Sequence, residues 1–288
     1  MLGILLIDKP AGITSHDAVD RIRRAFGTKR VGHAGTLDPM ATGLLVVAVG
    51  AATRFLQYLP LEPKEYEGEV TFGQASSTYD TEGELSEPRP VPENLQSRLD
   101  EIAPRFLGLV EQLPPIYSAV KVGGKPLYAY ARKGQEAERK ARIVRVDTFE
   151  LTVLEPSVVR MKVVCSGGTY VRSLAHDLGQ TVGCGAHLSA LRRTRAGAFR
   201  LEDAVALEGA RKEHLIDLPH ALPPMPLMQL NPIETASIRQ GRRVGIEKPP
   251  SHRLVGLLDP LGSIVGVARV VGQELQPECV LPLEAVHD

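Results

Sequence analysis

A short segment near the start of the chain, GHAGTLDPMATG (residues 32–43), carries most of the information about its architecture and chemistry. Its glycines permit positive φ angles and close backbone approach. Pro39 fixes its own φ and biases Asp38 toward an extended backbone, so residues 31–43 are predicted to form a rigid loop that presents one carboxylate beside His33. An isolated Asp-Pro pair is most often an ordinary turn, and the surrounding sequence must decide whether this loop has a chemical role.

The elements on either side of this loop follow from hydrophobic periodicity. Residues 2–7 are apolar and end at an Asp-Lys-Pro sequence, which is typical of a short buried strand. A helix is expected over about residues 17–26, with Thr14 or Ser15 as its cap. Residues 44–49 are an uninterrupted apolar run and indicate a second buried strand. The loop is therefore expected to lie between a basic helix and a buried strand.

Further along the chain, the pattern predicts both strands and helices, with no internal repeat. Strands are expected at about 67–72, 143–153 and 158–165, helices at about 93–106 and 173–182, and a loop at 78–92. This loop is acidic and contains proline, so we expect it to lie on the surface.

The C-terminal part of the chain differs in character. Residues 218–232 carry repeated prolines and are predicted to be a linker. Leu254–Leu258 and Ser263–Val271 are typical of small strands joined by a turn. This predicts a main domain over residues 1–227 and a small β-rich domain over residues 228–288. The alternative is a C-terminal extension that packs on the main domain.

Length and composition indicate a globular protein of the cytoplasm. The chain has 288 residues, of which 43% are hydrophobic and 24% charged, enough for one large domain or for one large and one small domain. No stretch approaches the ~20 apolar residues of a membrane span. The three cysteines, Cys165, Cys184 and Cys279, form no Cys-x-x-Cys pair, so neither a disulfide framework nor a zinc site is indicated, and a reducing cytosol is expected.

No cofactor and no metal ion are expected from the motifs. The eight histidines do not show the spacing of metal ligands. The chain also has neither a phosphate-binding Gly-x-x-x-x-Gly-Lys-Ser/Thr loop nor a dinucleotide fingerprint. Chemistry that depends on a bound nucleotide cofactor is therefore not indicated.

Charge is segregated along the chain, although the formal net charge is zero. The first basic cluster comprises Arg21, Arg23, Arg24, Lys29 and Arg30, the second Lys121, Lys125, Arg132, Lys133, Arg139, Lys140, Arg142 and Arg145, and the third Arg192, Arg193, Arg195 and Arg200. Acidic residues concentrate between Glu62 and Glu111. One basic cluster is usually a solvated helix face, but several in a neutral protein favour binding to phosphate groups.

Several segments, in this chain order, resemble motifs of the TruB-type tRNA pseudouridine synthase family. They are residues 6–15, 32–43, 64–66, 114–121 with Gly124 and Leu127-Tyr128, 165–174 with Asp177 and Gly179, and 183–188 leading to 191–193. The resemblance is specific and covers about residues 3–200. Residues 228–288 are similar to a short RNA-binding module of the PUA type.

The resemblance implies an α+β fold of the pseudouridine synthase kind. Such a fold has a mixed, largely antiparallel sheet with flanking helices, an active-site cleft across its centre, and here an appended small PUA-like β domain. An RNA-clasping insertion is implied at about residues 105–145. We expect this insertion to be mobile without RNA and to close on the T-arm of a bound tRNA.

The resemblance also assigns roles to individual residues. Asp38 is the implied catalytic carboxylate, and it acts either at the electron-poor ribose C1′ or on a proton beside it. Arg172 is its implied partner, and a guanidinium beside a carboxylate lowers the carboxyl pKa by roughly 1–3 units. The other implied substrate-binding residues are Tyr66 and Tyr170 on the base, Leu191 as an apolar wall and His33 at the RNA surface. Lys9 is expected to support the catalytic loop.

The function implied is isomerisation of uridine 55 in the T-loop of tRNA to pseudouridine. We expect a monomer that acts on tRNA without a guide RNA and without a membrane. The base must be extruded from the RNA to react, which costs on the order of a few kcal/mol.

Three alternatives remain at the level of sequence. A guide-RNA-dependent relative shares these motifs but normally carries a larger C-terminal module and basic tails. A non-catalytic tRNA-binding and folding factor would need the basic clusters but not Asp38, Tyr66, Tyr170 and Arg172 together. A glycoside hydrolase typically uses two carboxylates that flank the scissile bond, and only Asp38 lies in a convincing loop.

Overall fold

In the computed structural model, which describes residues 1–118, 120–127, 130, 135 and 138–282, the N-terminal elements form one side of a large sheet. They are β1 (Gly3–Lys9), α1 (Ser15–Phe26), β2 (Val31–Ala34) and β3 (Thr42–Val49). Both β1 and β2 run antiparallel to β3. The loop predicted over residues 31–43 is therefore wrong at its start, because residues 31–34 gain backbone hydrogen bonds by pairing with β3.

Helix α1 begins and ends as its sequence predicts. Thr14 is the cap, since its hydroxyl accepts a hydrogen bond from the Asp17 backbone N–H, while the Asp17 carboxylate accepts one from the Thr14 N–H. At the other end Gly27 has a φ of 62°, a left-handed conformation that glycine adopts without a Cβ penalty. Helix α1 thus has defined ends, and a short turn connects it to β2.

The large sheet is completed by the middle of the chain. A 3-10 helix (Gly50–Tyr58) is followed by β4 (Lys64–Phe72), α2 (Leu95–Ile102), a 3-10 turn (Ala103–Phe106), β5 (Gly108–Gln112), β6 (Lys121–Val122), β7 (Lys125–Pro126), β8 (Arg142–Glu155), β9 (Val158–Cys165), α3 (Val171–Val182), β10 (Ala186–Ala196), β11 (Phe199–Arg200) and β12 (Val205–Ala206). Short 3-10 turns follow at Leu201–Asp203, Leu207–Gly209 and Lys212–His214.

Strand order and direction define a mixed, largely antiparallel sheet, as expected. Among the described residues the sheet has ten strands, in the order β12-β1-β3-β10-β4-β9-β8-β5, with β11 beside β10 and β2 beside β3. Only the β1–β12 and β3–β10 pairs of this described sheet are parallel. The short strands β6 and β7 pair with each other outside it.

Alternation along β1 separates two hydrophobic layers. In β1, Leu5 and Ile7 face the layer that contains helices α1, α2 and α3, whereas Ile4 and Leu6 face the opposite layer. The opposite layer contains Phe55 of the 3-10 helix and residues of the C-terminal sheet. Within the described part of the chain, no helix has the length and hydropathy needed to cross a membrane.

The C-terminal elements form a second sheet. They are α4 (Leu218–Ala221), β13 (Leu227–Gln229), α5 (Pro232–Arg239), β14 (Val244–Gly245), β15 (Leu254–Leu258), β16 (Ile264–Val271) and β17 (Glu274–Val280), and the strand order is β13-β15-β16-β17-β14. The turn between β15 and β16 is the predicted one, with the Asp259 carboxylate accepting from the backbone N–H groups of Leu261 and Ser263. The segment predicted as a linker contains the short elements α4 and β13.

Candidate active site

The ammonium group of Lys9 binds the loop that carries Asp38. The Lys9 side chain is fully buried, and its Nζ donates to the carbonyl oxygens of Pro10 and Ile13, each at 2.8 Å, and of Pro39 at 3.4 Å. Burial lowers the pKa of Lys9 to about 8. These contacts suit the supporting role expected for Lys9, because they join the backbone of the Asp38 loop to the segment between β1 and α1.

Helix α1 holds the same loop from its first turn. The Ser15 hydroxyl accepts a hydrogen bond from the Leu37 N–H at 2.8 Å and donates one to the Leu37 carbonyl at 3.1 Å. Ser15 is 1% exposed, so both backbone groups of Leu37 depend on it. The residue before Asp38 is thereby attached to a rigid helix.

Arg193 fixes the other end of the loop. It is 1% exposed, and its Nη2 donates to the Gly35 carbonyl at 2.8 Å and its Nε to the Leu44 carbonyl at 2.7 Å. Gly35 has a φ of 72°, and a Cβ there would lie 3.2 Å from Arg193 Nη1, so glycine suits both the turn and the close approach.

The third basic cluster is less available to phosphates than its sequence suggests, although the Arg200 side chain is 61% exposed, 3.8 Å from Glu202. Arg193 is buried, Arg192 forms an ion pair with Asp8 at 2.7 Å, and Arg195 forms one with Glu65 at 3.3 Å. Burial and pairing reduce the charge that these residues offer to RNA, since a partnered cation has less to gain from a phosphate. Arg24, Lys29 and Arg30 of the first cluster are exposed.

Arg172, at the start of α3, contacts Asp38 through one edge of its guanidinium, formed by Nε and Nη2. Its Nη2 donates to Asp38 Oδ1 at 3.0 Å, and its Nε lies 2.9 Å from Asp38 Oδ2. The Asp38 side chain remains 33% exposed, whereas that of Arg172 is 6% exposed. A planar guanidinium can hold a carboxylate in this two-point manner, which leaves the carboxylate oriented but accessible.

Asp80 is a member of the site that the sequence did not reveal. It lies in the loop predicted to be on the surface, yet it is 1% exposed, and its Oδ2 is 3.1 Å from Arg172 Nη1. The same nitrogen donates to the Thr78 carbonyl at 3.1 Å. The loop turns inward because the Asp80 carboxylate also accepts from the Thr78 hydroxyl and the Glu82 N–H. An aspartate that can form such a local turn was the one feature of the sequence that could have pointed to Asp80, and it is common in exposed loops.

Sharing of Arg172 changes the electrostatics expected of Asp38. Arg172 does lower the pKa of Asp38, as the sequence predicted, but the net shift of this pKa is upward. Burial raises this pKa and outweighs the opposing attraction of Arg172, and the negative charge of Asp80 raises it further. The single guanidinium serves two carboxylates, so its charge only partly compensates the loss of water around Asp38.

A cavity of about 440 Å³ opens above the Asp38 carboxylate. Its lining includes Asp38, Lys64, Tyr66, Tyr117, Tyr170, Arg172 and Leu191. The predicted residues Tyr66, Tyr170, Arg172 and Leu191 thus meet around Asp38, although they come from three distant parts of the chain: β4, the start of α3 and β10. Lys64 and Tyr117 lie within the quoted sequence segments but were not singled out. His33 is not among the residues that line this cavity; it lies in β2, half-buried.

The two predicted tyrosines differ in their surroundings. Tyr66 is 7% exposed, and burial raises its pKa, so the phenol stays protonated at neutral pH. Tyr170 is held through its backbone, which exchanges two hydrogen bonds with the Gln112 side chain at 2.7 and 3.0 Å. The Arg142 guanidinium lies 5.4 Å from the centre of the Tyr170 ring, within the range of a cation–π contact. Both rings can therefore offer an aromatic face to a planar base.

Part of the predicted insertion lies outside the described residues. This applies to Tyr128, and to Arg132 and Lys133 of the second basic cluster. Its described beginning is attached to α3, since Arg172 Nη2 donates to the Tyr117 carbonyl at 3.0 Å and the Ser173 hydroxyl donates to the Leu113 carbonyl at 3.0 Å. Among the described residues, no group of histidine, cysteine and carboxylate side chains has the arrangement of a metal site.

Comparison with known proteins agrees with this geometry. Residues 23–171 match the N-terminal domain of the TruB family pseudouridylate synthases, and residues 172–218 match the C-terminal domain of tRNA pseudouridylate synthase B. The chain belongs to the TruB family. The boundary between the two matched segments falls between Tyr170 and Arg172, so the cavity of this TruB family member is formed by both segments together.

Individual relatives resemble the chain over most of its length. A tRNA pseudouridine synthase B of Opitutus terrae is 48% identical over 223 residues, which are 77% of this chain and 92% of the relative. A tRNA pseudouridine synthase B of Thermobifida fusca is 44% identical over 289 residues, which are 96% of this chain and 98% of the relative. Among solved structures, the chain resembles one in a Cbf5-Nop10-Gar1 complex with a TM-score of 0.70 and 26% identity, covering 98% of this chain and 86% of the other.

Proposed function

We propose that this TruB family member isomerises uridine 55 in the T-loop of tRNA to pseudouridine, with Asp38 as the catalytic carboxylate. The observation that carries the proposal is the Asp38 carboxylate, oriented by Arg172 and exposed to a cavity with aromatic walls. The names of the relatives from Opitutus terrae and Thermobifida fusca support tRNA as the substrate.

The reaction needs one well-oriented carboxylate and no change in atomic composition. The bond between ribose C1′ and uracil N1 breaks, the base rotates, and a bond forms between C1′ and C5, while C5 loses a proton and N1 gains one. An ionised carboxylate at Asp38 can attack C1′ or remove a proton beside it. Its contact with Arg172 supports either role. Arg172 binds both carboxylate oxygens from one side, and the Asp38 carboxylate remains accessible to the cavity.

The walls of the cavity suit an extruded uracil. We propose that the base contacts the rings of Tyr66 and Tyr170, with Leu191 as an apolar wall. Extrusion costs on the order of a few kcal/mol, which stacking and pocket contacts offset. His33 lies in β2, outside the cavity lining, and we assign it to RNA next to the extruded base.

Other parts of the chain are assigned to RNA binding. We propose a catalytic domain over residues 1–227, with the insertion at about 105–145 clasping the T-arm, and a PUA-like RNA-binding domain over residues 228–288. The exposed part of the first basic cluster is available for phosphates. We further propose a cytoplasmic monomer that needs no guide RNA, and the three free, buried cysteines are consistent with a reducing compartment.

The test is pseudouridine formation on an unmodified tRNA transcript, mapped by position. The wild type is compared with Asp38→Asn, which keeps the shape of the side chain, and with Asp203→Asn, which changes an exposed aspartate away from the cavity. We expect product at uridine 55 with the wild type and Asp203→Asn, and none with Asp38→Asn. Full activity of Asp38→Asn would remove Asp38 from the chemistry.

A second candidate function is tRNA binding and folding without catalysis. It would use the basic residues and would not require Asp38 to be accessible in a cavity. A wild type that binds tRNA but forms no pseudouridine would favour this function over the isomerase. Tight tRNA binding by Asp38→Asn alongside an active wild type would instead mean that recognition and chemistry are separate.

A further inference from the structure

A stacked pair of rings lies outside the cavity lining and has no part in the chemistry proposed above. The ring of Tyr79 stacks on the imidazole of His176, with centroids 3.8 Å apart and an interplanar angle of 15°. His176 belongs to α3 and follows Arg172 by four residues, so the two side chains lie on the same face of the helix. Tyr79 precedes Asp80. The pair therefore joins the same two segments that the Arg172–Asp80 ion pair joins.

The backbone of Tyr79 makes the choice of residue informative. Its φ is 67°, and no other non-glycine residue in the described ranges has a positive φ. A bulky side chain is unfavourable in this left-handed region, whereas glycine adopts it freely. The Tyr79 backbone is nevertheless held, because its N–H donates to the Ser76 carbonyl at 3.1 Å and its carbonyl accepts from the Leu188 N–H at 2.9 Å. The ring contact gives a physical reason for a tyrosine here.

We propose that Tyr79 and His176 are positioning residues that fix the guanidinium of Arg172 and, through it, the Asp38 carboxylate. The two groups that meet Arg172 Nη1, the Thr78 carbonyl and the Asp80 carboxylate, are each 3.1 Å away and flank Tyr79 in the chain. A rotation of Tyr79 would move both of them. Since Arg172 holds Asp38 through its other two nitrogens, such a movement would change the orientation of the Asp38 carboxylate.

The surroundings of His176 suit a positioning contact. Burial, and to a lesser degree the charge of Arg139, lower the pKa of His176, so its ring is uncharged at neutral pH. Arg139 itself belongs to the insertion, and it donates to the Pro114 carbonyl at 3.1 Å. A neutral ring does not add a second cation beside Arg172 and does not compete with it for Asp80. The stack can thus align the segments without altering their charge balance.

The test is the steady-state kinetics of pseudouridine formation on a tRNA transcript, and it rests on the proposed function. Tyr79→Gly relaxes the backbone but removes the ring, and His176→Ala removes the other ring. We expect each to lower kcat about ten- to a hundredfold, because small misplacements of reacting groups have effects of this size. The KM for tRNA should stay within about twofold, since binding contacts are unchanged. Tyr79→Phe and His176→Phe keep a ring and should restore kcat.

The outcomes are distinguishable from one another. A wild-type kcat in Tyr79→Gly would overturn the positioning role, and this variant decides the matter even if His176→Ala does not fold. A raised KM with unchanged kcat would also overturn it, because the rings would then contact RNA. Loss of kcat in both Phe variants would overturn it too, since a ring alone would not suffice. A wild type inactive on tRNA would contradict the proposed function and not the geometry of this pair.

Discussion

At the scale of single residues, one guanidinium connects two carboxylates of very different exposure. Asp38 is a third exposed and faces the cavity, whereas Asp80 is almost fully buried behind Arg172. A buried carboxylate that is ionised needs a cation, and Arg172 is the cation nearest to it. Asp80 therefore fixes Arg172, and it also raises the pKa of Asp38 by repulsion. These two effects make Asp80 a sensitive position for the pH dependence of the enzyme.

We predict that Asp80→Asn moves the acid limb of the pH profile of kcat/KM to lower pH. In the proposed reaction, activity needs the Asp38 carboxylate and is lost as the pH falls through the raised pKa of Asp38. Removing the charge of Asp80 removes one cause of this rise, so Asp38 protonates only at lower pH. At neutral pH we expect kcat to fall about ten- to a hundredfold, because Arg172 loses a fixed partner.

The control for this prediction is Glu84→Gln, which removes the charge of an exposed residue in the same loop. Its pH profile should match that of the wild type, since a solvated charge is screened. An acid limb in Asp80→Asn that stays in place or moves to higher pH would contradict the electrostatic account of Asp38.

Sequence patterns reached part of this site and not the rest, for physical reasons. The motif residues Asp38, Tyr66 and Tyr170 could be found because the segments around them resemble motifs of a known family. Asp80 could not, since an aspartate in an acidic, proline-bearing loop has the local pattern of an exposed turn. Its burial depends on Arg172, which is distant in the chain. The net upward shift of the Asp38 pKa was missed for the same reason, because desolvation is a property of the packed molecule.

At the scale of elements, the first turn of helix α1 binds the loop that carries Asp38. Thr14 closes the helix by capping, whereas Ser15, its neighbour, binds both backbone groups of Leu37. The two hydroxyls are adjacent in sequence but serve different structures. They therefore allow the stability of the helix to be separated from the placement of Asp38.

We predict that Ser15→Ala lowers kcat several-fold and the free energy of unfolding by about 1–3 kcal/mol, because two buried backbone groups of Leu37 lose their partner. Thr14→Ala is the matched control. It should cost about 1 kcal/mol as a lost cap and leave kcat unchanged. Denaturant unfolding and steady-state kinetics of both variants check this. Equal losses of kcat in the two variants would mean that Ser15 acts only through the helix.

Periodicity predicted elements well where one chain segment carries its own pattern. Strand β3 and helix α1 were found to within a few residues, because β3 is an uninterrupted apolar run and the buried positions of α1 repeat at three to four residues. Strand β2 was missed, since Val31 is its only buried residue and its pairing depends on β3. Pairing with a strand elsewhere in the chain produces no recognisable hydrophobic pattern in a segment of four residues.

At the scale of the whole molecule, the C-terminal sheet shares a hydrophobic layer with the large sheet. Ile264 and Val267 of β16 belong to the same buried cluster as Ile4 of β1 and Leu44 of β3. Polar contacts cross the same boundary, since Arg54 donates to the Val280 carbonyl at 2.7 Å. The opposite face of the C-terminal sheet has a separate core with helix α5. Sequence left open whether this region is an independent module or packs on the rest, and the shared layer favours joint folding.

We predict that the protein unfolds in one cooperative thermal transition and that Ile264→Ala lowers its midpoint. A truncated buried isoleucine costs about 2–5 kcal/mol, and here the cavity would lie between the two sheets. Leu261→Ala, in the neighbouring turn, changes a side chain that is 91% exposed and should shift stability by less than about 0.5 kcal/mol. Calorimetry measures both. Two separate transitions, with Ile264→Ala moving only one, would mean that the C-terminal sheet folds by itself and that the shared layer is a weak contact.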